Sequence, residues 1–146
     1  MDFVINHTPM TQPRPRLTEG RFYDPASQAK KKLKWLISSQ MAKNDFKAYT
    51  SGYLCVDLTL CFPTRDRSTQ SKQTVFTAIQ YHNKKPDIDN CAKLYLDVMN
   101  KIVYRDDSMV SELHVKKIYA KEGIVRIRVT ELVNEDNKDE PEEDKK

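Results

Sequence analysis

The chain has 146 residues, 38% hydrophobic and 32% charged, which suits one compact domain with its own core and does not comfortably hold two. Its formal charge of +4 hides an acidic end: residues 134–146 carry seven acids against three lysines, so the remaining body stands at +8 and favours a polyanionic partner. Cys55, Cys61 and Cys91 form no CxxC pair and are odd in number, which argues against a disulfide framework and a zinc site; with no apolar run of membrane-spanning length and no signal-peptide pattern at the start, a cytoplasmic protein with reduced thiols is expected.

Residues 3–5 predict a short first strand, and the Pro- and Gly-rich stretch that follows reads as a loop carrying Arg14, Arg16 and Arg21. Asp24 before Pro25 is a helix-start signal, and Ala29, Leu33, Leu36, Ile37 and Met41 recur at helical spacing, so a helix is expected over about 25–43 with a lysine-rich outer face. "YLCVDLTLCF", residues 53–62, alternates strictly, with Leu54, Val56, Leu58, Leu60 and Phe62 on one face of a half-buried strand. A polar loop over 64–73 and a weaker strand over 74–81 come next. Ile88, Cys91, Leu94, Tyr95 and Val98 then mark a central helix from Asp87 to Asn100. Residues 109–120 and 124–133 read as two strands joined as a hairpin around Glu122 and Gly123. The expected fold is α+β, a small mixed sheet packed with two main helices over residues 1–133, followed by an acidic, disordered tail over 134–146.

"KKPDIDNCAK", residues 84–93, carries the chemistry. Capping a helix needs one carboxylate, and Asp87 and Asp89 provide two. Asp89, Lys93, Asp97 and Asn100 share one side of the helix, and "VYRDDSMV" adds Asp106 and Asp107 beyond it. If the chain after the helix doubles back along it, the two acidic clusters come together. Converging carboxylates repel one another unless a cation lies among them, and an oxygen-only set with no His or Cys beside it suits Mg²⁺ or Mn²⁺. The plain alternative is that Asp87 caps, Lys93 pairs with Asp89, and Asp106 and Asp107 form a turn. An EF-hand is excluded, since its glycine and glutamate positions hold Ala92 and Val98. His82 and His114 are read as structural or peripheral.

The stretch "KKPDIDNCAKLYLDVMNKIVYRDDSMVSELHVKKIYA" strongly resembles the central motif of the RusA family of Holliday junction resolvases, which runs KPDxDNLxKxxLDALNxxxxxDDxQV before a strand with basic residues. "QPRPRLTEGRFYDP" resembles that family's Arg-Pro-Arg segment, so the likeness covers most of residues 3–130. The resemblance implies a RusA-like homodimer that cleaves four-way and other branched DNA with Mg²⁺, in recombination, fork repair or phage genome processing. Carried over by motif position, the catalytic residues are Asp87, Asp89, Lys93 and Asp107, with Asp106 a further metal ligand beside the three aspartates. Arg14, Arg16, Arg21, Lys116 and Lys117 are expected on DNA phosphates, where they position the substrate without reading bases. The chain departs from the pattern at Cys91 for Leu, at "LDVMN" for LDALN, and at Met109 for Gln, the last of which bears on the surroundings of Asp107. A second reading is a branched-DNA-binding protein without cleavage, and a third is a small structural protein whose acidic helix start only caps.

Overall fold

Alternation along one central strand organises the molecule. In the computed structural model, which describes residues 1–14, 16–64 and 78–135, strand β4 (Tyr53–Pro63) turns Leu54, Val56, Leu58 and Leu60 to one face, each at most 1% exposed. Two helices cover that face. Helix α1 (Ser27–Lys43) contributes Leu33, Ile37 and Met41, and helix α2 (Ile88–Met99) contributes Cys91, Leu94, Tyr95 and Val98. Each aliphatic side chain so removed from water stabilises the fold by about 1.5–3 kcal/mol before entropy is subtracted, which is what fixes the helices on the sheet.

The remaining strands are β1 (Asp2–Ile5), β2 (Arg16–Thr18), β3 (Arg21–Tyr23), β5 (Val110–Ala120) and β6 (Ile124–Leu132). The main sheet has the order β1-β6-β4-β5, with β4 parallel to β5 and antiparallel to β6, so the expected mixed α+β sheet with two main helices is present. Helix α2 makes the crossover between the parallel pair, as parallel neighbours require. The expected loop beyond Thr64, residues 74–77 of the expected second strand, and the acidic tail from residue 136 lie outside the described residues. Of the part of that strand that is described, Tyr81 makes an isolated antiparallel bridge to Ile118.

Three expectations need correction. First, β5 and β6 are not a hairpin, because β4 lies between them and pairs with both. The Glu122–Gly123 turn signal is local, whereas the apolar, centrally placed β4 claims an edge of each neighbour; Lys121, Glu122 and Gly123 therefore cross about two strand spacings, roughly 10 Å, over its end. Gly123 is required there, since a Cβ would fall 2.5 Å from Thr8 Oγ1 and 2.6 Å from the Thr8 backbone. Gly123→Ala should lower stability by about 1–3 kcal/mol, seen in urea as a lower midpoint at unchanged slope.

Second, the Pro-rich stretch contains a small hairpin: β2 and β3 pair antiparallel around Glu19 and Gly20, both at positive φ (51° and 76°). That two-residue turn with two left-handed residues matches the twist of flanking strands, but glutamate in the first place hides it from a reading that looks for Asn-Gly or Asp-Gly. Third, α1 begins at Ser27 and not at residue 25. Asp24 accepts from the Ala26 N–H at 2.9 Å and meets Lys30 Nζ at 3.2 Å, so it caps the turn leading into the helix. No described helix is long and apolar enough to cross a membrane.

Candidate active-site groove

Asp87 and Asp89 stand where a parallel α/β unit offers a crevice, outside the carboxyl ends of β4 and β5. Asp87 is the N-cap of α2 by backbone geometry (φ −70°, ψ 141°), and its carbonyl accepts from Cys91 N at 3.2 Å, yet its side chain makes no capping hydrogen bond. Asp89 lies in the first turn, and both carboxylates are exposed. They line a groove of about 550 Å³ together with Lys84, Lys85, Lys116 and Lys117. Two acids that make no side-chain capping bond thus share one concave place with four lysines.

Lys117 holds this groove in shape. Its ammonium, expected on a DNA phosphate, donates to the carbonyls of Lys84, at 2.6 Å, and Pro86, and lies 5.8 Å from the centre of the Phe62 ring. The backbone carrying Asp87 is therefore tied to β5. Cys91 lies behind it, fully buried, with its thiol pushed up to about 11 by burial; it stays protonated at neutral pH and fills the core position that leucine holds in the family pattern. His82 stacks on Phe62 at 4.1 Å and donates its backbone N–H to Lys117 O at 3.0 Å, which agrees with a structural part for it.

Lys93 is exposed one turn beyond Asp89, and no ion pair joins the two, so the plain reading of an Asp89–Lys93 surface pair is not borne out. Asp97, further along the same side, is occupied: with its amide nitrogen turned that way, Gln12 donates to Asp97 Oδ2 at 2.7 Å and accepts from Lys30 Nζ at 3.2 Å. Gln12 N–H also reaches Asn90 O at 3.4 Å and Met10 N–H reaches the Tyr95 hydroxyl at 3.1 Å. The segment before Arg14 is thereby laid along α2. Arg14, Arg16 and Arg21 are all exposed, the last two on the small hairpin beside Phe22, whose ring is 84% exposed.

The two acidic clusters do not converge within one chain. The chain does double back after α2, but Asp106 and Asp107 precede the return: they sit at the start of β5, near the C-terminal end of the helix, while Asp87 and Asp89 sit at its N-terminal end. Twelve helical residues separate the two places by roughly 18 Å. Asp107 instead lies near Tyr104, a buried phenol whose pKa is raised chiefly by burial, with the Asp107 and Asp97 carboxylates adding to it. Asp106 caps the 3-10 turn 107–109, accepting from Ser108 N at 3.3 Å and from Ser108 Oγ, which holds its carboxyl below the usual range. Its carboxylate is thus engaged in presenting Asp107. Met109 packs against the core and offers no hydrogen bond in place of glutamine.

Among the described residues, the group of potential metal ligands whose donor atoms do lie together, within 4.8 Å of one another, is Cys55, Glu112 and His114 on the uncovered face of the sheet. Sequence spacing could not reveal it, because its members come from β4 and β5, more than fifty residues apart in the chain.

The family model described as endodeoxyribonuclease RusA matches residues 6–130. The chain is also similar to the uncharacterized protein YqaN of Bacillus subtilis (strain 168), with 27% identity over 137 residues covering 89% of this chain and 95% of that protein.

Proposed function

Because the chain belongs to the RusA endodeoxyribonuclease family, we propose that it is a Mg²⁺-dependent, structure-specific endonuclease that resolves four-way DNA junctions by paired symmetric nicks in recombination and repair. The observation that carries this reading is the groove in which Asp87 and Asp89, both free of capping duty, stand among four lysines. The donor set fits a hard divalent cation, which prefers charged oxygens to nitrogen or sulfur. Asp87 and Asp89, with Asp107, would hold such an ion; when bound, it supplies charge neutralisation at the scissile phosphate and an acidified water.

The chain's own residues do the rest. Lys84, Lys85 and Lys116 draw a phosphodiester into the groove against the local repulsion of the two aspartates. Lys93, unpaired with Asp89, directs its ammonium to the phosphate or the leaving oxygen, where developing charge is best met by a preorganised cation. Lys117 keeps the Asp87 backbone in place. Arg14, Arg16 and Arg21 hold flanking backbone.

A homodimer reconciles this site with the distance to Asp107. Lys117 O accepts from His82 N, and Gln80 O accepts from Tyr119 N, so the odd-numbered residues of β5 direct their backbone groups away from β4. Among the described residues, nothing pairs with that outer edge between Ser111 and Lys116, and Leu113 there is 43% exposed. An unpaired edge is a template for a second strand. Antiparallel pairing about a two-fold axis at His114 sets Leu113 opposite the partner's Val115, an apolar pair made twice. The same pairing carries Asp107 of one chain toward the partner's Asp87, since the two lie at opposite ends of β5. Two sites related by a two-fold axis suit a substrate that needs two symmetric cuts.

A labelled four-way junction and a linear duplex of the same sequence, each incubated with Mg²⁺ or with EDTA, test the activity. Paired nicks in the junction with Mg²⁺, and none in the duplex or in EDTA, are expected. Binding without nicks would favour the alternative of a branched-DNA-binding protein, and neither would leave the groove without this function.

A further inference from the structure

We propose that Cys55, Glu112 and His114 form a zinc site on the open face of the sheet, with Asp57 orienting the histidine. The parallel register of β4 and β5 sets Cys55 against Glu112 and Asp57 against His114, two successive cross-strand pairs on the face the helices leave bare. One donor atom from each of Cys55, Glu112 and His114 lies within 4.8 Å of the others. His114 Nε2 stands 3.4 Å from Glu112 Oε2, His114 Nδ1 stands 4.0 Å from Asp57 Oδ1, and Cys55 Sγ stands 3.8 Å from Asp57 Oδ2.

The donor set selects the metal. A thiol, an imidazole and a carboxylate give the sulfur, nitrogen and oxygen ligands that Zn²⁺ accepts in tetrahedral sites and that Mg²⁺ avoids. Bonds of about 2.0–2.3 Å put neighbouring donors roughly 3.5 Å apart, so the three need draw in by only about 1 Å. Cys55 is 8% exposed and fixed in the central strand, while the side chains of Glu112 and His114 are 54% and 62% exposed and free to close on it. Nε2, the nitrogen beside Glu112, is the ligating one, and Asp57 Oδ1, 4.0 Å from Nδ1, would accept the Nδ1–H as the ring closes on the metal, giving the carboxylate–histidine–metal arrangement that sets ring orientation. Three protein ligands leave the fourth position to water.

Without metal, burial and then the Asp57 and Glu112 carboxylates raise the Cys55 thiol, so it is protonated at neutral pH. Binding releases that proton as the Cys55 Sγ–Zn bond forms, and no electron is exchanged. The ion would tie the edge strand β5 to β4, with His114 about 10 Å along β5 from Lys117, and none of its ligands is among the residues proposed to hold Mg²⁺.

The full chain, stripped with chelator, is titrated with ZnCl₂ against a chromophoric competitor, and with Co²⁺ to read the thiolate-to-cobalt charge-transfer band. One ion per chain is expected, with at least tenfold weaker binding in His114→Ala and in Cys55→Ser, loss of the band in Cys55→Ser, and parental binding in Asp87→Asn/Asp89→Asn. His114 is exposed, so its variant remains informative if Cys55→Ser folds poorly. No stoichiometric binding, or binding in His114→Ala equal to the parent, would overturn the proposal, as would a charge-transfer band that survives in folded Cys55→Ser.

Discussion

Replacing Asp87 and Asp89 together by asparagine should slow junction cleavage by about a thousandfold, equivalent to roughly 4 kcal/mol of lost transition-state stabilisation, while junction affinity stays at or above that of the parent. Asparagine keeps the shape of each side chain but offers one neutral oxygen in place of two charged ones. The fold should survive, because both side chains are exposed and neither is needed as a capping acceptor. What the fold loses is charge near a helix N-terminus, about 0.3–1 kcal/mol for each group. Binding should not fall, since two negative charges leave a groove whose other charged lining residues are four lysines. Single-turnover cleavage and gel-shift titration on the same junction separate these effects; cleavage at the parental rate would remove both residues from the site.

Asp107→Asn should lose about a hundredfold or more in rate, whereas Asp106→Asn should lose less than tenfold. The two neighbours differ in what their oxygens do. Asp106 accepts from the Ser108 backbone and hydroxyl and pairs with Lys101 Nζ at 3.6 Å; Asp107 is exposed and first in the 3-10 turn that Asp106 caps. Asparagine at 106 can still accept from Ser108, so the turn persists. The direction of the Asp106 shift fits this role. The Ser108 hydrogen bonds lower its folded-state pKa, so its contribution to stability is fully present above the unfolded carboxyl range and is lost only as pH falls through the lowered value. Cleavage assays at neutral pH therefore see the cap intact. Equal losses in the two single variants would contradict this division of labour.

Much of the fold was legible because it is written in periodicity. Leu54, Val56, Leu58 and Leu60 announce a strand, and Leu94, Tyr95 and Val98 a helix, since burial of one face is what selects both. What sequence could not give was strand order: Glu122 and Gly123 signal a turn, but only the competition for β4's two edges decides that β5 and β6 flank it. The site divides the same way. The surplus carboxylate of Asp87 and Asp89 was readable, because capping requires one acid; the separation of Asp107 was not, because it depends on where α2 ends relative to β5. The tie from the Lys117 ammonium to the Pro86 and Lys84 carbonyls was not legible either, because it depends on where the loop before Asp87 meets β5. The Cys55–Glu112–His114 group was invisible for a related reason, as cross-strand register and not sequence spacing assembles it.

The most direct test of a site shared between two chains mixes two inactive proteins. Asp87→Asn/Asp89→Asn subunits and Asp107→Asn subunits, refolded together, form mixed dimers in which one of the two sites draws only on intact residues: Asp87 and Asp89 from one chain, Asp107 from the other. About half the dimers are mixed and each has one working site, so Mg²⁺-dependent nicking should return to about a quarter of the parental level, as single and not paired nicks. A mixture as inactive as either variant alone would contradict the account.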